Sequence, residues 1–413
     1  MNSPMLARAA SWLTERRVRR HALLLGLVLW SVYAVDLATP GLRDRSGLLK
    51  AVDFLHFYTL GSLAAEGRGD LLYDARAQAA ESLRQVPESA GVFFQPVYGP
   101  QVALLFAPLA RLPFAWAAFL WIALSALLYA LCVHAVWRSC PQLRAHGNTL
   151  LLLAAAYPAF FQLLAHGQTS ALALACFTAA YLALRAERRL LAGIAIGLLV
   201  YKPQLGIAAA VVFVLGGEWR VMAGAVLAAG AQLAAGWAYF GTPAMQAYAA
   251  TLRALPQMAS VLEPKLYQMH SLRAFWSLLV PWAGVAMALY VVTAVAALAW
   301  AVWAWRSSAP LSLRYAAFLL ATVLVTPHLT VYDLVVLAPA LLVLGDWALA
   351  NPGHRMGALM RVALYASFAL PLLGAVTRAT HVQLSVVAFA ALAWATAVAL
   401  RDGAAMRPEQ MVS

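Results

Sequence analysis

Apolar runs, most of them about 20 residues long and separated by polar connections, recur from His21 to Leu400. A helix of that length matches the hydrocarbon thickness of a bilayer and satisfies its own backbone groups inside it. The chain therefore reads as a membrane protein. Composition agrees: hydrophobic residues make up 64% and charged residues 11%, less than half the charged share of about 25% carried by a soluble globule. A soluble globule, a disordered chain, a coiled coil and a secreted disulfide scaffold are excluded, the last because only Cys132, Cys140 and Cys176 are present. Each of these lies in or beside an apolar run and reads as a buried small hydrophobe.

Twelve crossings are expected, near 21–38, 114–137, 149–165, 169–184, 190–201, 205–216, 221–240, 283–305, 311–326, 329–349, 359–376 and 381–400. The fold class is then all-α: a polytopic bundle over 21–400, between a basic cytosolic N-terminus at 1–20 and a cytosolic tail at 401–413. Arginines before the first run resemble a signal peptide, but no small-residue cleavage site follows, so the run reads as a retained crossing. A net charge of +13 would point to nucleic acid in a soluble protein. Here the cations punctuate apolar runs and form no patch, so nucleic acid is not an expected partner. They report topology instead. With the N-terminus inside, Arg138 and Arg144, Arg185 to Arg189, Arg220, Arg306 and Arg314, Arg355 and Arg361, and Arg401 and Arg407 all fall on the inner side.

The outer face then receives loops at about 39–100 and 241–282, in a plasma membrane with the working face extracytoplasmic. Apolar and aromatic residues between Val52 and Glu66 recur at roughly helical spacing, which predicts an amphipathic helix lying in the membrane interface. A second, polar helix is expected from Ala75 to Arg84. Pro96, Pro100, Pro108 and Pro113 mark a broken or re-entrant piece before the second crossing. Gly193 and Gly197, four residues apart, read as a helix-packing face.

Ionisable groups are expensive beside hydrocarbon, so those at outer helix ends are candidates for function. Acids there reduce to a short list that includes Asp36, Asp53, Asp70, Glu81, Glu263 and Asp333. Asp53 opens the aromatic helix, where it can serve as a general base or as a first-turn cap. Four further clusters reach the same face: His166-Gly167-Gln168, Tyr201-Lys202-Pro203-Gln204, Pro327-His328 with Tyr332-Asp333, and His270-Ser271 with Arg273. Lys202 is one of three lysines; a compact ammonium there suits a phosphate oxygen, or snorkels to headgroups. His166 and His328 serve equally as helix-end caps or as substrate contacts. The outer acids show no paired spacing for a metal, and no P-loop, dinucleotide glycine motif or H-E-x-x-H is present.

These positions form an ordered pattern. Asp53-Phe54-x-x-Phe57-Tyr58-x-x-Gly61, Leu72-Tyr73-Asp74, Pro100 to Pro108-Leu109, Gly167-Gln168, Gly193 to Gly197 leading into Lys202-Pro203-Gln204, and Pro327-His328 with Tyr332-Asp333 resemble the polyprenol-phosphate-dependent membrane glycosyltransferases of family 87, a branch of the GT-C superfamily. The resemblance covers about residues 50–340 and departs at His270-Ser271, where asparagine or glutamine before the serine is usual. It implies a cofactor-free hexosyltransferase with a polyprenyl-phosphate sugar donor, mannose by family habit, and a lipid or glycan acceptor. Asp53 takes the place of the catalytic base, with Lys202 and His328 near the donor phosphate. His166, Gln168, Gln204, Arg273, Tyr58 and Asp333 complete the implied substrate contacts. Competing readings are a transporter or flippase for a lipid or small anion, which would need midplane charges, and a surface-polysaccharide polymerase or ligase, which would need a large later outer loop.

Overall fold

The computed structural model describes residues 4–258 and 265–405. Residues 259–264 of the expected second outer loop, with Glu263, and most of the expected tail, 406–413, lie outside the described residues. Among the described residues every named element is helical, and pairing between extended segments is limited to the bridges Arg43 to Leu49 and Met269 to Thr330. The chain is an all-α polytopic membrane protein.

Six helices are long and apolar enough to cross a bilayer: Glu15–Ala38, Phe114–Trp137, Trp219–Met258, Ala283–Arg306, Val331–Ala350 and Leu384–Asp402. Two bent pairs raise the number to eight, Leu143–Ala155 with Pro158–His166 at 43° and Gly357–Leu372 with Gly374–Thr380 at 85°. The figure of twelve is therefore not established. The remaining expected crossings are the shorter apolar helices Ser170–Arg185, Arg189–Tyr201, Pro203–Leu215 and Leu311–Val325. The last of these shows why length is a poor guide here, because every residue from Tyr315 to Val325 is buried in protein. A helix so enclosed need not match the bilayer.

The expected inner connections are tied together at one end of the bundle. Glu15 meets His146 at 3.0 Å and accepts a hydrogen bond from Thr149. Asp346 accepts from the backbone N–H groups of Gln142 and Leu143 at 2.7 and 3.0 Å. Arg189 pairs with Glu218 and Arg355 with Asp402, both at 2.7 Å. The glycine face forms as expected: a Cβ on Gly193 would stand 2.0 Å from the Val221 carbonyl oxygen, and one on Gly197 2.3 Å from that of Ala225. Glycine lets those two backbones touch. The three cysteines are buried thiols.

One expectation about the outer segments needs correction. The helix Val52–Ala65 forms, but it presents no apolar face to lipid, because Phe54 through Ala64 are all buried within the protein. One side packs on Phe106, Phe114 and Trp121. The polar side, which gave the amphipathic look, is covered by the rest of the loop. Ser62 there donates to Glu81 at 2.7 Å, and His56 sits between the rings of Phe94 and Tyr98. The expected second helix runs Ala75–Gln85, with the Asp74 carboxylate accepting from the N–H groups of Arg76 and Ala77. The described part of the expected outer segment 241–282 is largely helical. The helix from Trp219 kinks at Gly241, φ +77°, and continues to Ala254, and Leu272–Leu279 is helical.

Candidate active site

The site is built where four turns meet at the end of the bundle opposite the arginine connections. Gly167 ends Pro158–His166 in the left-handed region, φ +67°, and a Cβ there would lie 2.7 Å from the Phe54 Cβ. Only glycine allows both the sign of φ and so close an approach. The turn is thereby pressed against the first residues of the buried helix, and Trp121 donates to the Gly167 carbonyl at 3.0 Å.

That contact delivers Gln168 to Asp53. The Gln168 Nε2 donates to Asp53 Oδ2 at 3.0 Å, while its Oε1 accepts from the Thr169 backbone N–H at 3.0 Å. Both ends of the amide are engaged, so its orientation is set and Asp53 is held with it. Asp53 is half-buried, whereas Gln168 is buried. This is the geometry of an oriented carboxylate that keeps one face open.

Two residues further on, the Ser170 hydroxyl donates to Asp333 Oδ1 at 2.6 Å and accepts from Lys202 Nζ at 3.0 Å. Lys202 closes the triangle with a 2.7 Å ion pair to Asp333, both side chains 4% exposed. The second Asp333 oxygen accepts from the backbone N–H and hydroxyl of Thr330 at 3.3 and 3.2 Å, a capping box that starts the helical turn at Val331. Two tyrosines enclose the pair. Tyr201 donates to the Thr169 carbonyl at 2.9 Å, and the Tyr332 ring lies 5.5 Å from Lys202 Nζ and 5.9 Å from the His166 ring.

Asp53, Gln168, Lys202, Asp333 and His166 thus come together as sequence reasoning expected. His328 is half-buried in the loop before the capping box and within electrostatic reach of Asp333. Arg273 is half-buried on Leu272–Leu279, and His270, two residues before that helix, is stitched to the same loop by its N–H to the Leu329 carbonyl, 2.9 Å. Gln204 is half-buried after Lys202, and its carbonyl accepts from Thr326 at 3.4 Å. Tyr58 stands apart: its hydroxyl donates to the Leu112 carbonyl at 2.8 Å and its ring packs on Phe114. Among the described residues no three His, Cys, Asp or Glu side chains gather as a metal site.

Sequence reasoning missed Ser170, the bridge of the triangle, and His56, one turn beyond Asp53. His56 is buried with its Nε2 lacking a hydrogen-bond partner among the described residues, and burial pushes its pKa down to about 4, which favours the neutral ring. The only signal for Ser170 was its place two residues after Gln168. For the Gln383 to Ser385 segment there was none: Ser385 meets His270 Nδ1 at 2.7 Å and Gln383 donates to the Met269 carbonyl at 2.6 Å.

The sequence model of glycosyltransferase family 87 matches residues 97–327, more than half of the chain. The match includes the Gly167 turn, the Lys202 turn and the glycine face, and stops one residue before His328; Asp53 precedes it. No curated protein and no solved structure matches the chain.

Proposed function

The chain belongs to glycosyltransferase family 87 and is a membrane glycosyltransferase, and from that premise we propose that it moves a hexose, mannose by family resemblance, from a polyprenyl-phosphate donor to a lipid or glycan acceptor with inversion. The observation that carries the reading is the Asp53 carboxylate, half-buried and oriented by Gln168, beside a buried cationic turn.

Asp53 accepts the proton of the acceptor hydroxyl as that oxygen attacks the anomeric carbon from the face opposite the phosphate. The carbon–oxygen bond to the phosphate breaks, and the polyprenyl phosphate leaves with its electron pair. A phosphate leaving group needs charge stabilisation and no protonation, so one carboxylate suffices. Lys202 spends two of its three N–H donors on Ser170 and Asp333, which leaves one for a phosphate oxygen. His328 and Arg273 supply further donors, and His166 and Gln204 contact the sugar or acceptor. The same reading places the reaction on the extracytoplasmic side of a plasma membrane, supported by the arginine connections at the opposite end.

Asp53→Asn is expected to abolish sugar transfer from a polyprenyl-phosphate hexose in purified, detergent-solubilised protein, with the thermal transition and donor binding kept. Transfer at the wild-type rate in that variant would remove the base and the reading with it.

A further inference from the structure

An apolar groove of about 270 Å³ opens at the arginine-bearing end of the bundle, away from Asp53. Leu13, Val18, Tyr129, Leu153, Leu342 and Phe368 supply much of its wall, and among the lining residues only Arg361 is charged. Its ceiling is Tyr157, whose hydroxyl donates to the Leu334 carbonyl at 2.9 Å. Leu334 follows Asp333 in the chain, and none of Asp53, Gln168, Lys202 and Asp333 lines the groove. The volume equals about nine water molecules at about 30 Å³ each, yet an apolar wall offers water too few partners to hold it there. Hydrocarbon is the matching occupant.

The mouth says which hydrocarbon. Arg361 is exposed at the rim, and no carboxylate pairs with it among the described residues. The helix Pro4–Trp12 packs on Gly357–Ala369, which carries Arg361. The Trp12 ring stands 5.2 Å from the His21 ring and has the Arg17 guanidinium over it at 5.2 Å. Exposed Trp and Arg side by side anchor a protein at headgroup level. Beside this, Arg16, Arg19 and Arg20 line an adjoining recess with Glu15, Leu23 and Leu152, so three cations face one carboxylate there. An exposed Arg361 over an apolar slot, with a net-cationic recess beside it, matches a phosphate joined to an acyl chain.

We propose that this groove holds one acyl chain of an anionic phospholipid from the leaflet at the arginine-bearing end, with the lipid phosphate on Arg361. The donor's prenyl chain is not the proposed occupant, because the groove lies at the arginine-bearing end and none of Asp53, Gln168, Lys202 and Asp333 lines it. The inference rests on the membrane fold alone and stands whether or not Asp53 is the base.

The full chain in detergent would be given phosphatidylglycerol or phosphatidylcholine and followed by thermal melting and by native mass spectrometry. Phosphatidylglycerol should raise the melting temperature more than phosphatidylcholine and stay bound in the gas phase. Arg361→Gln, at an exposed position, should bind phosphatidylglycerol several-fold more weakly. A Cβ on Gly345 would meet only Leu143 Cδ1, at 3.9 Å, so Gly345→Leu fills the groove without displacing backbone and should lose both lipids. Asp53→Asn should bind lipid as the wild type does. Equal response to the two lipids, an Arg361→Gln variant with unchanged affinity, retention of phosphatidylglycerol by Gly345→Leu, or its displacement by a polyprenyl phosphate would each overturn the assignment.

Discussion

Lys202 and Asp333 place opposite charges 2.7 Å apart with 4% of each side chain exposed, so each depends on the other to stay charged. Removing one partner of such a pair costs about 3–5 kcal/mol, whereas replacing both by apolar groups of similar size is often neutral. Lys202→Met should therefore lower the melting temperature sharply, and Lys202→Met with Asp333→Leu should recover part of it, the bonds from Ser170 and Thr330 to Asp333 being lost with the carboxylate. Transfer should stay lost in the double variant, because no ammonium then faces the donor phosphate; recovered transfer would reduce the pair to a structural role. Gln168 permits a finer test. Its amide fixes the Asp53 carboxylate at 3.0 Å without contacting the Lys202 pair, so Gln168→Ala should lower kcat roughly tenfold to a hundredfold with little change in KM or melting temperature. An unchanged kcat would mean that Asp53 is oriented by something else. At this scale the sequence named the participants but not their bonds. Asp53, Gln168, Lys202 and Asp333 stood out as polar residues at apolar helix ends, whereas the pairing of Lys202 with Asp333 crosses 131 positions and leaves no local pattern.

The buried helix Val52–Ala65 holds Asp53 because its polar side is also covered. Glu81 does much of that covering: it accepts from Ser62 at 2.7 Å, Arg68 at 3.0 Å, Arg84 at 2.7 and 3.0 Å, and Gln85 at 3.1 Å. Burial alone pushes the Glu81 pKa up, but the bonds from Arg84, Ser62 and Gln85 outweigh it and hold the carboxyl at about 2, below its ordinary 4.5. A folded value below the unfolded one means that the stabilisation is complete above about pH 4.5 and is lost as pH falls toward 2. Amide protection factors of Val52–Ala65 and Ala75–Gln85 should therefore be level from neutral pH to about pH 5 and fall below it, and Glu81→Gln should lower them already at neutral pH. A flat profile to pH 2 would show that the ionised carboxylate does not hold the cap. Packing makes a second demand. A Cβ on Gly61 would stand 2.5 Å from the Phe106 carbonyl oxygen, so Gly61→Ala should push Pro100–Phe106 outward and lower the melting temperature; an unchanged transition would show that the two helices have slack. Period alone revealed this helix, since its aromatic residues recur at helical spacing. It misjudged the exposure of the helix, because His56, Thr59 and Ser62 look like a water-facing stripe until Phe94, Tyr98 and Glu81 cover them.

Across the whole molecule, the arginine connections and the Asp53 turns occupy opposite ends, and that separation turns a charge pattern into a claim about sidedness. Arginine-rich connections stay on the cytoplasmic side, so the end carrying Glu15–His146, Arg189–Glu218 and Arg355–Asp402 should face the cytoplasm. The six long helices and two bent pairs were legible as apolar runs. The short ones could not be counted from the sequence, because Leu311–Val325 and its neighbours are shielded by protein and their length carries no bilayer constraint. Sidedness can be read without that count. Cys132, Cys140 and Cys176 are all buried, so a new surface cysteine reports with little background. Asp70 and Arg188 are exposed at the two ends. In intact cells Asp70→Cys should react with a membrane-impermeant maleimide, and Arg188→Cys should react only after the membrane is broken. The reverse pattern would put Asp53 in the cytoplasm, where nucleotide sugars are available, and the case for a lipid-phosphate donor would fall even if the carboxylate remained the base. Labelling thus tests the donor class through geometry alone, independently of any assay that presupposes the sugar.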